Sequence, residues 1–520
     1  MSHSRSNIVF ICADQLAAAF LGCYGSGVAS TPTLDRLAGE GVRFERCYAT
    51  SPICAPNRAT FLTGRSPCVH GIITNNYALA TDNPTYARVL QGQGYRTGGF
   101  GKFHQTPMHC PVPENAAFLG FDESVVSEDP KWGPWIDWVA REYHEHLPTA
   151  LAMAWPWPDH PRPAQAPLAA KLRHEILDPI QAASAWPLMY PSPLPAEVHD
   201  STFITNLGLD FIQRHLERNG DQPFFCHISY VDPHDPYDPP APYATMYRPE
   251  DMPDPLPAEW LEQGSTTLRA AQLEFHHFDA VCNRPEVMRT LRALYHGSLR
   301  FLDDQIARIV ALLEKRGLRE TTILVFTTDH GDMLGDHGLI TKGVKPYDTS
   351  IRCPLIVSGG GIKPGVSDRL TCTLDFYPTF CDWAGVGTND RPPLEGKSFA
   401  GDCMGQPETD PWGEVSVAYG PMESVITADG WRLTRFLDEG LEQMFVLKND
   451  PGEQHNLYAD PEYATKRQEL LERMVAVMAR PRRVPQYRNM PLLSGKKIPI
   501  NADRMLEGLP VYDGPESPFL

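Results

Sequence analysis

Short, continuous runs of apolar residues recur along the chain and alternate with longer amphipathic segments. Asn7–Ala13 and Thr322–Thr328 are such runs, rich in β-branched residues, and the segments 224–231 and 354–358 are similar. A continuous apolar run of this length is typical of a strand buried on both faces of a parallel sheet. The pattern therefore predicts four buried parallel strands.

Helix-like segments lie between these runs, at 33–39, Tyr86–Gly92 and 287–316. The last of them is long and amphipathic, and it leads into the strand Thr322–Thr328 as one crossover unit would. Strands that alternate with helices predict an α/β fold, with a large, mostly parallel sheet flanked by helices.

Residues 125–200 depart from this alternation. Six of the ten Trp fall in this segment among many prolines, at positions 132, 135, 138, 155, 157 and 186. The segment is either a surface excursion with its own small core or a rim that shapes a substrate pocket. In the second case the aromatic faces could hold a quaternary ammonium by cation–π attraction, as a choline ester would need.

The pattern changes again near residue 395. Residues 414–447 form short alternating runs between turns, which predict a small antiparallel sheet, and 461–480 has a strongly helical pattern. We therefore predict a catalytic α/β domain over 1–395, with the insert at 125–200, and a smaller α+β subdomain over 396–482. The Pro-rich tail over 483–520 is expected to pack on the body or on a neighbouring subunit, which favours a homo-oligomer.

Charge and composition exclude several classes of partner. The 520 residues are 42% hydrophobic and 21% charged, as in an ordinary globular protein, with a net charge of −18. Such an acidic chain is not expected to bind nucleic acid or an anionic membrane by bulk charge. An anionic ligand would need a local cluster of cations and metal.

Two further features bear on location. No apolar stretch reaches the roughly 18 residues that a membrane span needs, and the first apolar run is broken at Asp14, unlike a secretory signal. The 12 cysteines are scattered singly without a C-x-x-C pair. This spacing argues against a disulfide framework and favours reduced thiols in the cytoplasm.

Polar residues follow two of the predicted strands directly. Asp14 and Gln15 come after the first strand, and Asp329 and His330 come after Thr322–Thr328. In an open parallel sheet, ligands gather outside the carboxyl ends of the strands, so these residues are expected to meet around one cation. Such a donor set suits Ca²⁺ first, with Mg²⁺ or Mn²⁺ as alternatives, and the imidazole leaves Zn²⁺ or Fe open. Alternatively, each Asp merely caps the next helix.

A short motif gives the most specific indication of function. Residues 54–58 read CAPNR, from Cys54 to Arg58, and Thr63-Gly64-Arg65 follows closely. The C-x-P-x-R pattern alone is only moderately specific. With this continuation it resembles the formylglycine signature of the type I sulfatases in the alkaline phosphatase superfamily. The resemblance implies that Cys54 is oxidised to formylglycine by a formylglycine-generating enzyme, a partner of this protein.

Other motifs of the same family follow in order along most of the chain. They are GKFH at 101–104, DPHDP at 232–236, TDHGD at 328–332, HGL at 337–339, DGWRL at 429–433 and NDPGE at 449–453. TDHGD and HGL, with Lys342 after them, resemble the second metal pair and the substrate lysine of the family. DGWRL and NDPGE resemble the family's C-terminal subdomain. The resemblance therefore implies an alkaline phosphatase-like fold and hydrolysis of sulfate monoesters.

Two metal positions depart from the pattern of many sulfatases, which have Asp in place of Gln15 and Asn in place of His330. The Gln/His pair resembles choline-sulfatases and phosphonate monoester hydrolases. The latter lack the Lys and His of the G-K-x-H motif, which this chain keeps as Lys102 and His104. The resemblance therefore points to the choline-sulfatase-like branch.

The resemblance also implies a role for each residue. Its metal ligands are Asp14, Gln15, the matured Cys54, Asp329 and His330. Arg58, Lys102 and Lys342 neutralise the sulfonate oxygens while one hydroxyl of the formylglycine hydrate attacks sulfur. His234, or Lys342, protonates the leaving oxygen, and His104 takes the proton of the second hydroxyl as sulfate is expelled. Asn75 contacts the substrate head, whereas His70 supports the loop.

Three other functions are weighed against this one. Phosphonate monoester or phosphodiester hydrolysis would use the same fold and much of the same site, with promiscuity between the two chemistries. A P-loop is suggested only by Gly101-Lys102, and Phe103 stands where Ser or Thr is needed. A metal-stabilised scaffold without turnover is disfavoured because every implied catalytic residue is present.

Overall fold

The computed structural model of the protein describes residues 5–107, 115–155, 165–219, 222–273, 281–406 and 410–479, and the short strands 492–493 and 496–497. A large sheet of eight strands forms its centre, in the order β4-β3-β5-β1-β6-β7-β2-β8. The strands are β1 (Asn7–Ala13), β2 (Val42–Tyr48), β3 (Arg96–Gly101), β4 (Glu123–Val126), β5 (Phe224–Ser229), β6 (Thr322–Thr328), β7 (Arg352–Gly359) and β8 (Gly365–Cys372). The predicted mostly parallel sheet is confirmed.

One predicted strand runs in the other direction. The segment 354–358 lies within β7 and is buried, but β7 pairs antiparallel with both β6 and β2. The prediction of a parallel strand there is wrong. A continuous apolar run reports burial on both faces, and that burial does not depend on strand direction.

Helices cover both faces of the sheet. They are α1 (Pro32–Glu40), α2 (Cys54–Thr63), α3 (Pro67–His70), α4 (Tyr86–Gly92), α5 (Pro134–Glu142), α6 (Leu147–Met153), α7 (Ala166–Leu172), α8 (Asp178–Ala183), α9 (Asp200–Asn219), α10 (Thr266–Leu273), α11 (Pro285–Lys315), α12 (Asp348–Ile351), α13 (Phe376–Trp383), α14 (Ala400–Cys403) and α15 (Ala464–Met478). Alternate residues of β1 enter two separate cores, Val9 one and Phe10 the other. This alternation places apolar layers on both sides of the central strand.

A second, smaller sheet follows the first. Its strands are β9 (Glu414–Tyr419), β10 (Met422–Thr427), β11 (Trp431–Phe436) and β12 (Leu441–Val446), paired antiparallel in the order β12-β11-β10-β9. Leu470 and Met474 of α15 pack on Val425 and Leu433 of this sheet. The predicted C-terminal α+β unit is confirmed. The boundaries at 395 and 482 stay predictions, and the tail 483–520 lies outside the residues described, apart from the two short strands.

The Trp-rich insert contributes to the main core. Trp132, Trp135, Trp138 and Trp186 are all buried in the same cluster as β1 and α11. Of the other two, Trp155 is half-buried and position 157 lies outside the described residues. The four buried rings pack against apolar side chains, so they are not available to hold a quaternary ammonium.

A substitution at Trp135 tests this assignment. The ring is 1% exposed and its indole N–H donates to the Val198 carbonyl at 3.0 Å. Trp135→Ala is therefore expected to lower the free energy of unfolding by about 3–5 kcal/mol, measured by urea denaturation. Unchanged stability would contradict the assignment of this ring to the core.

None of the helices in the described part of the chain has the combination of length and apolar character that crossing a bilayer requires.

Candidate active site

The ends of two neighbouring parallel strands bring distant residues together. β1 and β6 are paired in register up to Ala13 and Thr328, so Asp14 and Asp329 emerge side by side. Both side chains are fully buried. The Gln15 backbone N–H donates to Asp329 Oδ1 at 3.2 Å, which ties the two strand ends together. The expected convergence at the carboxyl edge of the sheet is therefore observed.

Four side chains form a compact group of potential metal ligands at this edge. Ligand atoms of Asp14, Cys54, Asp329 and His330 all lie within 4.8 Å of one another, and all four residues are buried. His330 Nε2 is 3.8 Å from Asp14 Oδ1 and 3.7 Å from Asp329 Oδ2. Two carboxylates and an imidazole, buried together, fit a divalent cation. Burial also lowers the pKa of His330 to about 4, so its imidazole is neutral, as a ligand must be.

Gln15 occupies the edge of this group. Its backbone has a positive φ of 61°, and its side-chain oxygen accepts from Lys342 Nζ at 2.6 Å. Its amide nitrogen donates to Asp332 Oδ2 at 2.7 Å. The amide is thus oriented with its oxygen toward the site. Coordination of a metal by Gln15 stays a prediction.

Cys54 lies at the first turn of α2, where the chain enters from an extended Ile53. Its Sγ is 3.1 Å from His330 Nε2, and the residue is 1% exposed. Burial raises the pKa of the thiol well above its usual range, so the unmodified side chain is protonated. A protonated thiol is a poor nucleophile.

Two Asn side chains hold the loop around Cys54. Asn75 Oδ1 accepts the backbone N–H of Ala55 at 3.0 Å. Asn57 accepts from Thr50 and Thr373, and its amide nitrogen donates to the Asp329 carbonyl. Contact of Asn75 with substrate stays a prediction, since the observed bond gives it a role in supporting the loop.

Arg58 links α2 to the strand ends. Its guanidinium donates to Asp329 Oδ2 at 2.7 Å and to Asp14 Oδ2 at 3.0 Å. It also donates to the Lys102 carbonyl at 2.8 Å and to Ser229 Oγ at 2.7 Å. Arg58 is one helical turn beyond Cys54, so the C-x-P-x-R spacing places both side chains on the same edge.

Lys102 is fully buried between two carboxylates. Its Nζ lies 2.6 Å from both Asp14 Oδ2 and Asp129 Oδ1, and 3.9 Å from Cys54 Sγ. Burial opposes the charged form of Lys102, but Asp129 and Asp14 outweigh it and hold its pKa well above the usual value. Burial would likewise raise the pKa of Asp14, but Lys102 and Arg58 keep it well below. The site is therefore preorganised as alternating fixed charges.

His104 lies beside this charge cluster without hydrogen bonds to its ring. Neither ring nitrogen has a partner within the described residues, although the side chain is only 1% exposed. The Glu128 carboxylate accepts the backbone N–H of His104 at 2.8 Å and that of Phe103 at 3.0 Å, and His104 has a positive φ of 50°. Burial, reinforced by Lys102, holds the pKa of His104 well below its usual range. The imidazole is thus neutral.

His234 and Lys342 contact each other beside Gln15. His234 Nε2 contacts Lys342 Nζ, and its Nδ1 lies 2.6 Å from the Asp235 carbonyl oxygen. His234 is buried and Lys342 half-buried. The structure therefore brings all the predicted catalytic residues to one edge of the sheet: Cys54, Arg58, Lys102, His104, His234 and Lys342.

Sequence reasoning missed Glu128 and Asp129, which complete the site from the loop after β4. The only available signal was their position, since an SEDP segment follows directly on a strand in a parallel sheet. His70 has the supporting role expected of it: its Nε2 is 3.2 Å from Thr60 Oγ1, and its Nδ1 accepts from the Ile72 N–H at 3.1 Å.

Comparison with known proteins identifies the chain. The family model described as Sulfatase matches residues 6–386. The chain belongs to the sulfatase family. A second model, N-sulphoglucosamine sulphohydrolase, C-terminal, matches residues 335–480. The protein is accordingly a hydrolase of sulfate esters, and the predicted family is confirmed.

Curated relatives of this sulfatase cover most of its length. An arylsulfatase from Clostridium perfringens is 29% identical in an alignment 474 residues long, which covers 88% of this chain and 91% of that protein. A choline-sulfatase from Rhizobium meliloti is 27% identical and covers 89% of this chain and 84% of its own. Among solved structures, phosphonate monoester hydrolase of Agrobacterium radiobacter has a TM-score of 0.74 at 22% identity, covering 92% of this chain and 96% of its own. That likeness shows the shared fold.

Proposed function

We propose that this sulfatase cleaves small-molecule sulfate monoesters through a formylglycine at position 54, beside one divalent metal. The observation that carries the proposal is the buried convergence of Cys54 with Asp14, Asp329 and His330. Arg58 and Lys102 flank this group, which gives an acidic protein a local cationic site for an anionic head. The proposed partner for maturation is the formylglycine-generating enzyme, since an unmodified thiol could not expel sulfate in the last step.

The proposed metal ligands are Asp14, Gln15, the matured residue 54, Asp329 and His330. A divalent ion bound there would act as a Lewis acid that favours loss of a proton from a hydroxyl at position 54. Two carboxylates and an amide oxygen favour Ca²⁺, and the imidazole keeps Mn²⁺, Mg²⁺ and Zn²⁺ as alternatives. Metal analysis of the purified protein and reconstitution with each ion would decide among them.

The fixed cations are proposed to bind the tetrahedral head. Lys102 Nζ lies 3.9 Å from Cys54 Sγ and is held by Asp129, and Lys342 Nζ is held by Gln15. Charges fixed in this way need no rearrangement when negative charge builds up on the sulfonate oxygens. His234, or Lys342 in contact with it, is proposed to protonate the departing alkoxide as the sulfur–oxygen bond breaks.

His104 is proposed to take the proton of the second hydroxyl at position 54. Loss of that proton lets the carbon–oxygen bond to sulfate break, so that sulfate leaves and the aldehyde returns. The proposal is supported by the His104 ring nitrogens, neither of which has another hydrogen-bond partner among the described residues. Asn75 is proposed to contact the substrate head while supporting the loop.

A His104→Ala variant should separate the two halves of the reaction. We expect one rapid turnover per active site, followed by a steady-state rate about 10²–10³-fold below wild type. The reason is that release of the alcohol does not require His104, whereas release of sulfate does. Rapid-quench measurement of phenol from an aryl sulfate would show the burst. His70→Ala is the matched control: it should lower stability without producing a burst. A uniform slowing of both phases in His104→Ala would contradict the assigned role.

Phosphonate monoester or phosphodiester hydrolysis is the second candidate function. The Gln15 and His330 positions and the shared fold with a phosphonate monoester hydrolase support it. The deciding experiment compares kcat/KM for a sulfate ester and a phosphonate monoester of the same phenol, after co-expression with the formylglycine-generating enzyme. Faster turnover of the sulfate ester supports the first proposal. Much faster turnover of the phosphonate would make promiscuous sulfatase activity secondary.

A cytoplasmic location is part of the proposal. All the cysteines in the described ranges are free thiols, and most are buried. Scattered, unpaired cysteines are typical of a reducing compartment. Binding to nucleic acid or membranes is not proposed, and the homo-oligomer inferred from the tail would be tested by light scattering.

A further inference from the structure

The loop that carries Lys342 is held at both ends by side chains outside it. Before Lys342, the Thr341 backbone N–H donates to Asp332 Oδ1 at 2.8 Å. After Lys342, the Pro346 carbonyl accepts from Arg432, and the Asp348 N–H donates to Glu453 Oε2 at 2.8 Å. The second anchor comes entirely from the C-terminal subdomain.

Arg432 and Glu453 form a buried ion pair beneath this loop. Arg432 lies on β11 and is fully buried, and Glu453 is 3% exposed. Glu453 has a positive φ of 53° at the turn that follows β12. The two residues belong to the segments DGWRL and NDPGE, which are not used in the proposed mechanism. Burying two charges costs free energy, so such a pair needs close partners to be tolerated.

Aromatic rings complete the anchor. The Arg432 guanidinium lies 5.4 Å from the centroid of Tyr347 and 5.0 Å from that of Phe445. Tyr347 stacks on His337 with centroids 3.7 Å apart, and its hydroxyl accepts from Gln443 at 2.9 Å. Residues of the C-terminal subdomain thus contact both the backbone of segment 346–348 and the ring of Tyr347.

Further contacts fix the short stretch of backbone between this anchor and Lys342. Lys345 is fully buried and its Nζ donates to the Lys342 carbonyl. The Gly343 N–H donates to the Pro52 carbonyl at 3.0 Å, next to the loop that carries Cys54. With its backbone fixed in this way, the Lys342 side chain reaches Gln15 and His234.

We infer that Arg432 and Glu453 are positioning residues for Lys342, and that the C-terminal subdomain is part of the catalytic machinery through them. The inference rests on the proposed function, in which Lys342 binds the sulfonate head and assists the leaving oxygen. Displacement of a catalytic group by about 1 Å costs on the order of 10²-fold in rate, so loss of this anchor has a measurable consequence.

The test variant removes the pair without leaving a lone buried charge. In R432M/E453M both charges are replaced by apolar groups of similar length, a change that proteins often tolerate. We expect kcat/KM for an aryl sulfate to fall about 10–100-fold per folded molecule, with a larger loss for phenols of higher pKa. E453Q, which keeps an acceptor for the Asp348 N–H, should lose less and provides a second folded variant.

A double-mutant cycle with K342A decides whether the effect passes through Lys342. In the K342A background, R432M/E453M should change kcat/KM less than about twofold, since the residue that it positions is already absent. An equal loss in both backgrounds, or no loss in either, would overturn the inference. Affinity for inorganic sulfate, measured by calorimetry in the same four proteins, should follow the same cycle.

A matched control comes from a second ion pair that involves a buried Arg. Arg369 on β8 contacts Asp402 of α14, is 8% exposed, and is placed in no catalytic role. R369M/D402M should lower the melting temperature while activity per folded molecule stays unchanged.

A wild-type protein that is fully matured at position 54 and hydrolyses no sulfate ester would refute the proposed function. The calorimetric cycle would then still test the positioning of Lys342.

Discussion

Cys54→Ala is expected to abolish sulfate ester hydrolysis, lowering kcat/KM by at least about 10⁴-fold. The reason is that Cys54 is the cysteine in the described group with Asp14, Asp329 and His330, and the methyl of Ala cannot be oxidised to an aldehyde. The measurement is turnover of an aryl sulfate after co-expression with the formylglycine-generating enzyme. Peptide mass spectrometry across residues 54–58 should show thiol-to-aldehyde conversion in wild type alone.

Cys68→Ala is the matched control for this prediction. Cys68 is an exposed thiol on α3, within the same stretch of chain, and makes no contact with the strand-end residues in the described structure. Its replacement should leave turnover within about twofold of wild type. Substantial residual hydrolysis in Cys54→Ala, or full wild-type activity with an unmodified thiol, would remove position 54 from the mechanism.

Asp329→Asn is expected to lower both metal content and kcat/KM, the latter by about 10³-fold. The substitution preserves shape but removes one of the two carboxylate charges that converge with His330, and it weakens the 2.7 Å ion pair with Arg58. The site would then have one negative charge fewer beside Arg58 and Lys102, which disfavours a divalent cation. Metal per chain, measured by mass spectrometry after dialysis, should fall together with activity.

A second buried aspartate provides the control. Asp303 on α11 is fully buried and accepts the backbone N–H groups of Thr33 and Leu34 at 3.0 and 2.8 Å, at the start of α1. Asp303→Asn should reduce stability by about 1 kcal/mol with metal content and kcat/KM unchanged. If Asp329→Asn kept its metal and lost activity only through unfolding, the strand-end carboxylates would be structural caps.

Local pattern was sufficient for much of the fold. The runs Asn7–Ala13 and Thr322–Thr328 are strands with the predicted bounds, Tyr86–Gly92 is a helix, and the alternating segment near 414–447 is an antiparallel sheet. These elements bury one or both faces, and burial leaves a periodicity that can be counted. The direction of β7 escaped because an apolar run is the same whichever way it is paired.

The candidate site was predicted where its residues belong to short motifs. Cys54 and Arg58 share one helix, and the strand-end rule placed Asp14 beside Asp329, although the two are far apart in the chain. Glu128 and Asp129 were missed because their partners, His104 and Lys102, lie on a different loop. No local pattern marks a pairing between two loops.

The sequence by itself determined the family, the order of the main elements and the candidate site residues that lie in short motifs, since each depends on residue type and short-range spacing. Only the tertiary structure decided what surrounds those residues. It turned the Trp-rich insert into core, oriented Gln15 toward Lys342, and placed the Arg432–Glu453 pair under the catalytic loop. Such contacts join segments far apart in the chain, and their energies depend on burial and geometry that exist only after folding.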